Sequence, residues 1–304
     1  MDGGGKIKNW ILVAQPWAWF ASASPALVAY SYVFYLLKTG ELSGEANWAF
    51  GIIGFIAMLI FHVSGNTMNE YQDFIKGVDV KEKMGPPRLI VQGVFKPKTV
   101  LKYSLTMLTI GSLIGIYLLV KTGWPLLIIG LVGILSVLLY HKFKYVALGE
   151  LLIFICYAVA VPMGIGYVLT EQLLWIILLI TTPTGLLVVG ILHANNTRDV
   201  VQDRDANIKT QAMILGLEGS QILYQTLVLV SYLLIAIFVS MNLLHPVTFI
   251  VLLSFTMAIK NIKAMKKATD NSLEVINFLD AKTSMLALVF SILLATGNFI
   301  APFI

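Results

Sequence analysis

Nine runs of about twenty apolar residues, separated by short polar connections, leave this chain very few ways to fold. A run of that length crosses the ~30 Å hydrocarbon layer of a bilayer as a helix, because lipid offers no hydrogen bonds to an unpaired backbone. The runs lie at approximately 16–37, 47–69, 100–120, 124–140, 148–168, 173–194, 218–241, 246–260 and 283–302. Only 12% of the 304 residues are charged, about half the share usual in a soluble domain, so a second, water-soluble unit is not expected. The expectation is an all-α membrane protein: a single polytopic domain over residues 1–304 with nine transmembrane helices. Pro25, Pro125, Pro162 and Pro183 fall within or at the start of runs, where neighbouring helices compensate a lost backbone bond, and they predict bends instead of loops.

Charge sets the orientation. Of the 21 lysines and arginines, all but Lys38 and Lys121 share one face of a nine-helix chain, which the positive-inside tendency places in the cytoplasm together with the N-terminus. The net charge of +5, including the run from Lys260 to Lys267, is then explained by topology and by membrane lipids with anionic headgroups, and no nucleic-acid partner is implied. Lys6 and Lys8 ahead of an apolar run, with Ser22-Ala23-Ser24 inside it, imitate a secretory signal. The run continues to Leu37, too far for a signal core, so it is expected to remain as the first span. The lone Cys156 sits inside a run, excludes an intrachain disulfide and reads as packing.

Acids on the cation-rich face are the informative departure, since orientation does not ask for them. Asn69-x3-Asp73-x5-Asp79 follows the second run, and Asn195-x3-Asp199-x3-Asp203 follows the sixth. A spacing of four puts Asn69 with Asp73, and Asn195 with Asp199 and Asp203, on one helical face each. Gly77 is suited to end the helix and turn the chain before Asp79. One such motif alone reads equally well as a helix cap or a salt bridge; two with matching Asn-x3-Asp spacing argue for ligation. Carboxylate and amide oxygens suit a hard divalent cation, and Mg²⁺ is typically held by one or two carboxylates plus substrate phosphate oxygens. Lys76, Arg88, Lys144 and Arg198 then read as the charges that neutralise a diphosphate bridging the two strips.

These residues resemble the UbiA-type intramembrane prenyltransferases, which carry two aspartate-rich motifs after their second and sixth helices. The nearest likeness is to the branch that prenylates 1,4-dihydroxy-2-naphthoate in menaquinone synthesis. NEYQDFIKGVD (69–79), GPPRLIVQGVFKP (85–97) and NNTRDVVQDRDANIKT (195–210) resemble that branch's first motif, its following loop and its second motif. Tyr140-x3-Lys144 ahead of Leu148-Gly149-Glu150, and the segment from Thr283 to Gly297, extend the likeness over the whole chain. Three departures stand out: Glu70 where aspartate is usual, Gln15 where a basic residue often precedes the first-span proline, and Asn207-Ile208 where a glycine commonly precedes Lys209.

The resemblance implies nine helices around a central active-site cavity, a side opening that admits a lipid tail, and a site facing the cytoplasm from the cell membrane. It implies Mg²⁺ as cofactor, held by Asp73, Asp79, Asp199 and Asp203 with Asn69 and Asn195 orienting. It implies a prenyl diphosphate bound by Asn69, Lys76, Arg88, Lys144, Asn195 and Arg198, a small aromatic or lipid-like acceptor, and Asp73, Asp199, Tyr140 and Lys144 in catalysis. 4-Hydroxybenzoate, a tetrapyrrole side chain and geranylgeranylglyceryl phosphate are the alternative acceptors. Loop 76–98 is expected to act as a lid that keeps water from a carbocation.

Plainer readings accompany several of these residues. Tyr140 suits a cation–π contact but also an interfacial aromatic belt, and Lys144 also suits a topology charge. His193 reads as packing or as a proton acceptor, and Glu150 as a partner of the Lys142–Lys144 segment or of an acceptor hydroxyl. Phe154, Tyr157 and Trp175 read as packing or belt residues. A transporter is the alternative from another class, and it would place acids near the bilayer midplane; here they collect at helix ends beside cations. A third reading, a phosphatidyltransferase, finds no D-G-x2-A-R pattern in this chain to support it. Nothing in the sequence speaks to oligomeric state.

Overall fold

The computed structural model of the chain describes residues 3–80, 85, 86 and 88–304; Lys81, Lys83 and Pro87, which belong to the inner-face charge count and the lid above, lie outside the described residues. Among the described residues nine helical segments are long and apolar enough to cross a membrane, and there is no strand beyond two isolated bridges. The helices are α1 (Gly3–Val13), α2 (Phe20–Thr39), α3 (Trp48–Lys76), α4 (Pro97–Thr122), α5 (Pro125–Lys144), α6 (Gly149–Phe154), α7 (Val161–Thr170), α8 (Ile176–Arg198), α9 (Val200–Asp205), α10 (Gln211–Ser240), α11 (Phe255–Lys267) and α12 (Leu279–Ile300). A π-helical turn over Ile155–Ala160 joins α6 and α7 into one crossing, and a 3₁₀ segment, Pro246–Ser254, leads into α11.

Local chemistry sets the helix ends. The first crossing begins at Phe20, not near residue 16: Gln15 stands in the left-handed region at φ 53° and Pro16 offers no N–H, so α1 is cut off as a separate helix. The second crossing runs past residue 69 to Lys76, where Gly77 takes φ 77° and donates its N–H to the Asp73 and Phe74 carbonyls. Asn69 and Asp73 therefore share one continuous helix, while Asp79 lies beyond its end. Pro97 and Pro125 open α4 and α5, where a missing N–H has no partner to lose.

Burial divides the crossings. The apolar windows of α2 and α8 are each 61% buried, that of α5 only 11%, so α2 and α8 are inner helices and α5 is a lipid-facing wall. The main core gathers α2, α8, α10 and α12 around Tyr32, Leu187, Tyr224 and Phe290. A smaller core binds α1 to the segment after α3. Val13 packs with Leu89, Ile90 and Val100, and the Trp10 ring lies 4.5 Å from Phe95 and 4.9 Å from Tyr103. Between the inner helices and the α4–α5 wall the side chains do not meet, and a cavity remains.

Candidate active site

The first motif is assembled around one carboxylate. Asp73, fully buried in the last turn of α3, accepts from Asn69 Nδ2 at 3.0 Å and Lys144 Nζ at 2.7 Å on Oδ2, and from the Tyr145 hydroxyl at 2.8 Å on Oδ1. Lys144 is itself buried, so this is an ion pair removed from water. Asp79 forms an ion pair with Arg88, Nε to Oδ2 at 3.5 Å. Burial alone would lower the Arg88 pKa, but Asp79, Glu70, Asp73 and Asp199 around it outweigh that and raise it, so the guanidinium is held charged. Burial first, then the Asp73 charge and hydrogen bond, push the Tyr145 phenol well above its ordinary value and keep it a donor. Lys76 is exposed at the last turn of α3.

The second motif is held by its own arginine. Arg198 donates Nε to Asp199 Oδ1 at 2.6 Å, Nη2 to Asp199 Oδ2 at 3.1 Å and to Asn195 Oδ1 at 2.6 Å, and Nη1 to Asp280 Oδ2 at 2.8 Å and the Asn277 carbonyl at 3.1 Å. All five guanidinium N–H donors are thus engaged by protein oxygens. The diphosphate contact expected of Arg198 has no free donor here, and this arginine instead ties the motif to α12. Gly85 lies against the guanidinium at φ +92°, where an added Cβ would stand 2.9 Å from Cζ, so only glycine fits. The helical strip expected over Asn195, Asp199 and Asp203 is interrupted at Asp199 (φ −91°, ψ 9°). Backbone bonds from Asp199 N–H to Asn195 and from Asp203 N–H to Asp199, at 3.0 and 2.9 Å, carry it across the break into α9.

The two motifs meet. Lys144 lies within electrostatic reach of Asp73, Asp203 and Asp79, and Arg88 within reach of Asp73, Asp79 and Asp199. The Lys209 N–H donates to the Tyr145 carbonyl at 3.1 Å, joining the chain after α5 to the chain after α9. Asn69 and Asn195, the first residues of the two motifs, line one cavity of about 630 Å³ together with Arg88, Tyr140 and Asp280. The cavity narrows chemically from this polar end into a wall of Gly, Ala, Leu, Ile and Phe. Glu150, His193 and Asn196 form a buried set beside it, with Asn196 Nδ2 donating to Glu150 Oε1 at 2.9 Å and His193 Nδ1 at 3.3 Å from the same oxygen.

Three participants escaped the sequence reading. Tyr145 carried no mark that separated it from a belt aromatic. Asp280 did carry one, since it is an acid at the start of the last apolar run among inner-face cations. Asn277 reaches the site through its carbonyl oxygen and, by its side chain, accepts the Gly85 N–H at 2.9 Å. Two of the departures from the family pattern also prove to be one contact: Gln15 Nε2 lies 3.4 Å from Glu70 Oε2, while Glu70 Oε1 accepts the Ile90 N–H at 3.1 Å.

Among the described residues no three His, Cys, Asp or Glu side chains converge closely enough to hold a metal ion. Lys144, Arg88 and Arg198 stand against the acids instead. The donor set nonetheless fits a hard cation: it is all oxygen, and the buried Asn69 Oδ1 makes no hydrogen bond among the described residues.

The model of the UbiA prenyltransferase family matches residues 25–286. The 1,4-dihydroxy-2-naphthoate octaprenyltransferase of Bacillus subtilis (strain 168) is 31% identical over 258 residues, 82% of this chain and 82% of that one. The UbiA prenyltransferase domain-containing protein 1 of Xenopus tropicalis is 32% identical over 243 residues, 76% of this chain and 67% of the relative. Two solved structures share the fold. A UbiA homologue from Archaeoglobus fulgidus bound to DMAPP and Mg²⁺ has a TM-score of 0.62 and 14% identity over 92% of this chain and 98% of its own. The apo UbiA homologue from Aeropyrum pernix K1 has a TM-score of 0.63 and 17% identity over 88% of this chain and 97% of its own.

Proposed function

Because the chain belongs to the UbiA prenyltransferase family, it is an intramembrane prenyltransferase, and we propose that it moves a polyprenyl group from an allylic diphosphate to 1,4-dihydroxy-2-naphthoate. We place the reaction at the cytoplasmic face of the cell membrane, as a step of menaquinone synthesis, with Mg²⁺ as cofactor. One observation carries this reading: Asn69 and Asn195, far apart in sequence, line the same polar end of a cavity whose remainder is apolar. That shape takes a charged head and a hydrocarbon tail in a single molecule. The acceptor follows from the similarity to the naphthoate octaprenyltransferase and from the three motif likenesses.

Asp73, Asp79, Asp199 and Asp203, with Asn69 and Asn195, would hold the Mg²⁺, which when bound draws off the negative charge that grows on a departing diphosphate. Lys144 and Arg88 add fixed positive charge on the same side, so breaking the allylic C–O bond sends charge toward cations already in place. Arg198 positions Asp199 and Asn195. Tyr140, on the cavity wall, presents its ring to the carbocation. Trp10 and Val13 of α1 pack on Leu89 and Ile90, next to Arg88 on the cavity's polar end, so this segment is placed to limit water, which would otherwise quench the cation.

The test is transfer from labelled geranylgeranyl diphosphate by the purified full chain, with Mg²⁺ and an acceptor panel. Prenylated naphthoate is the expected product, abolished by EDTA and restored by added Mg²⁺. Transfer to 4-hydroxybenzoate or geranylgeranylglyceryl phosphate in its place would reassign the acceptor and keep the chemistry. No release of diphosphate with any acceptor would remove the reading.

A further inference from the structure

Midway along the cavity, away from both motifs, stands a polar cluster that diphosphate chemistry does not use. His62 lies on α3 seven residues before Asn69, about 10 Å along the axis at ~1.5 Å per residue, and it forms part of the cavity wall at 7% exposure. Its Nδ1 is 2.8 Å from Ser22 Oγ on α2 and 3.4 Å from the Tyr157 hydroxyl in the π-turn. Ser22 gives its own proton to the Trp19 carbonyl at 3.0 Å, which leaves Oγ as an acceptor and puts the imidazole hydrogen on Nδ1. The opposite nitrogen, Nε2, then carries the ring's lone pair, and Asn66, one turn further along α3 and also on the cavity wall, is a hydrogen-bond neighbour of the imidazole.

The helix that brings Tyr157 here is not regular. A π-turn over Ile155–Ala160 interrupts it, and such turns inside α-helices are frequent at functional sites. Gly185 of α8 lets the turn sit close, because a Cβ there would overlap Ala158. Ser22 satisfies Nδ1, but the Tyr157 hydroxyl has only a long 3.4 Å contact, inside a chamber where a weakly satisfied polar group is costly. A hydrocarbon tail needs no polar partner, and on the α4–α5 wall Gly115 and Gly130 line the cavity with open space over their Cα atoms. An aromatic acceptor is different: it is an apolar ring that carries oxygen.

We infer that His62, with Tyr157 and Ser22, is the acceptor-oxygen subsite, and that Nε2 takes the hydroxyl proton of a phenolic acceptor as the ring is alkylated. The inference rests on the prenyl-transfer reading above. In the step, the O–H electron pair moves into the ring as the proton passes to Nε2. The ring carbon closes on the prenyl C1, and the C1–O pair leaves with the diphosphate. The ring carbon then loses either its proton, to the released diphosphate, or its carboxylate, as CO₂, and the bonding pair re-forms the aromatic ring; the proton on Nε2 returns to the oxygen, restoring the hydroxyarene and the neutral imidazole.

The test compares wild type with His62→Phe, His62→Gln and Tyr157→Phe, each as full-length purified protein with Mg²⁺ and labelled geranylgeranyl diphosphate. For His62→Phe the expected result is a KM for 1,4-dihydroxy-2-naphthoate raised at least tenfold and a kcat lowered at least tenfold, with the donor KM within twofold of wild type. His62→Gln keeps a polar contact without the base and should lose kcat far more than acceptor KM; Tyr157→Phe should raise the acceptor KM about threefold. A parallel equilibrium titration with 1-hydroxy-2-naphthoate, followed by intrinsic fluorescence, should weaken at least tenfold in His62→Phe. Equal acceptor KM and kcat in all four proteins overturns the subsite and leaves the transferase reading standing. Hydroxynaphthoate binding that depends on His62 in a protein that turns over no prenyl diphosphate does the reverse. Should His62→Phe fail to fold, the Gln and Tyr157 variants decide the matter.

Discussion

The two aspartate motifs start alike and are stabilised in opposite ways. Asp73 is held by residues distant in sequence, Lys144 and Tyr145 at the end of α5, 71 and 72 residues along the chain, and both arrive through long-range packing. Asp199 is neutralised by its own neighbour, Arg198, which then reaches on to Asp280 and Asn277. The difference teaches that matching spacing does not mean matching mechanics. The first motif is a buried carboxylate that depends on a buried lysine; the second is a preassembled clamp whose arginine spends every donor inside the protein. Lys144 and Arg88 each reach across to an acid of the first motif, whereas every Arg198 donor is engaged around the second.

The sharpest way to break this contrast is to remove each aspartate. Asp73→Ala leaves Lys144 buried without its partner, which costs about 3–5 kcal/mol and should abolish transfer. Asp199→Ala should also abolish transfer, but Arg198 keeps Asp280, Asn195 and Asn277, so the loss of stability should be about half as large. Thermal unfolding in detergent reads both; a larger drop for Asp199→Ala would invert the comparison. Next in size, Lys144→Met should lower turnover at least a hundredfold. The double variant Asp73→Asn, Lys144→Met should be destabilised by clearly less than the sum of the single ones, because contacting residues couple by roughly 0.5–3 kcal/mol. A smaller effect is expected for Asp280→Asn: it weakens the tie between the second motif and α12 while Arg198 retains four donors in place. The donor KM should rise about tenfold, in line with a charged hydrogen bond worth ~1.5–3 kcal/mol, with little change in acceptor KM.

What the sequence disclosed depended on how local each cause is. Nine apolar runs, the pairing of Asn69 with Asp73 on one helical face and the helix stop at Gly77 all follow from spacing or from a single residue's backbone preference, and all appear in the fold. The engagement of Arg198 did not follow, because its acceptors Asn277 and Asp280 lie 79 and 82 residues along the chain. A free-looking arginine beside an aspartate then reads as a phosphate ligand. Gln15 and Glu70, each a departure when read singly, become intelligible only as a pair formed across 55 residues. The π-turn left no trace in the hydropathy of residues 148–168, since one extra residue per turn leaves a uniformly apolar run uniformly apolar. Tyr157 therefore reads from sequence as a packing or belt residue, although it lines the cavity.

Tyr145 offers the smallest and most discriminating test of the contrast, because its hydroxyl touches only the first motif. Tyr145→Phe removes one hydrogen bond to Asp73 and leaves Lys144 and Asn69 on the other carboxylate oxygen. The expected loss is about 1 kcal/mol, close to a fivefold fall in turnover, with no effect on the Arg198 clamp. The sign of its pH dependence also follows. Burial and the Asp73 charge raise the folded phenol above its ordinary value of 10.0. The phenol's contribution is therefore complete below that value, and it is lost only as pH climbs from there through the folded pKa. Between about pH 6 and 9 the ratio of wild-type to Tyr145→Phe turnover should stay flat. A ratio that shrinks as pH rises through that window would mean that the phenol ionises there, and that Asp73 is held by Lys144 and Asn69 without it.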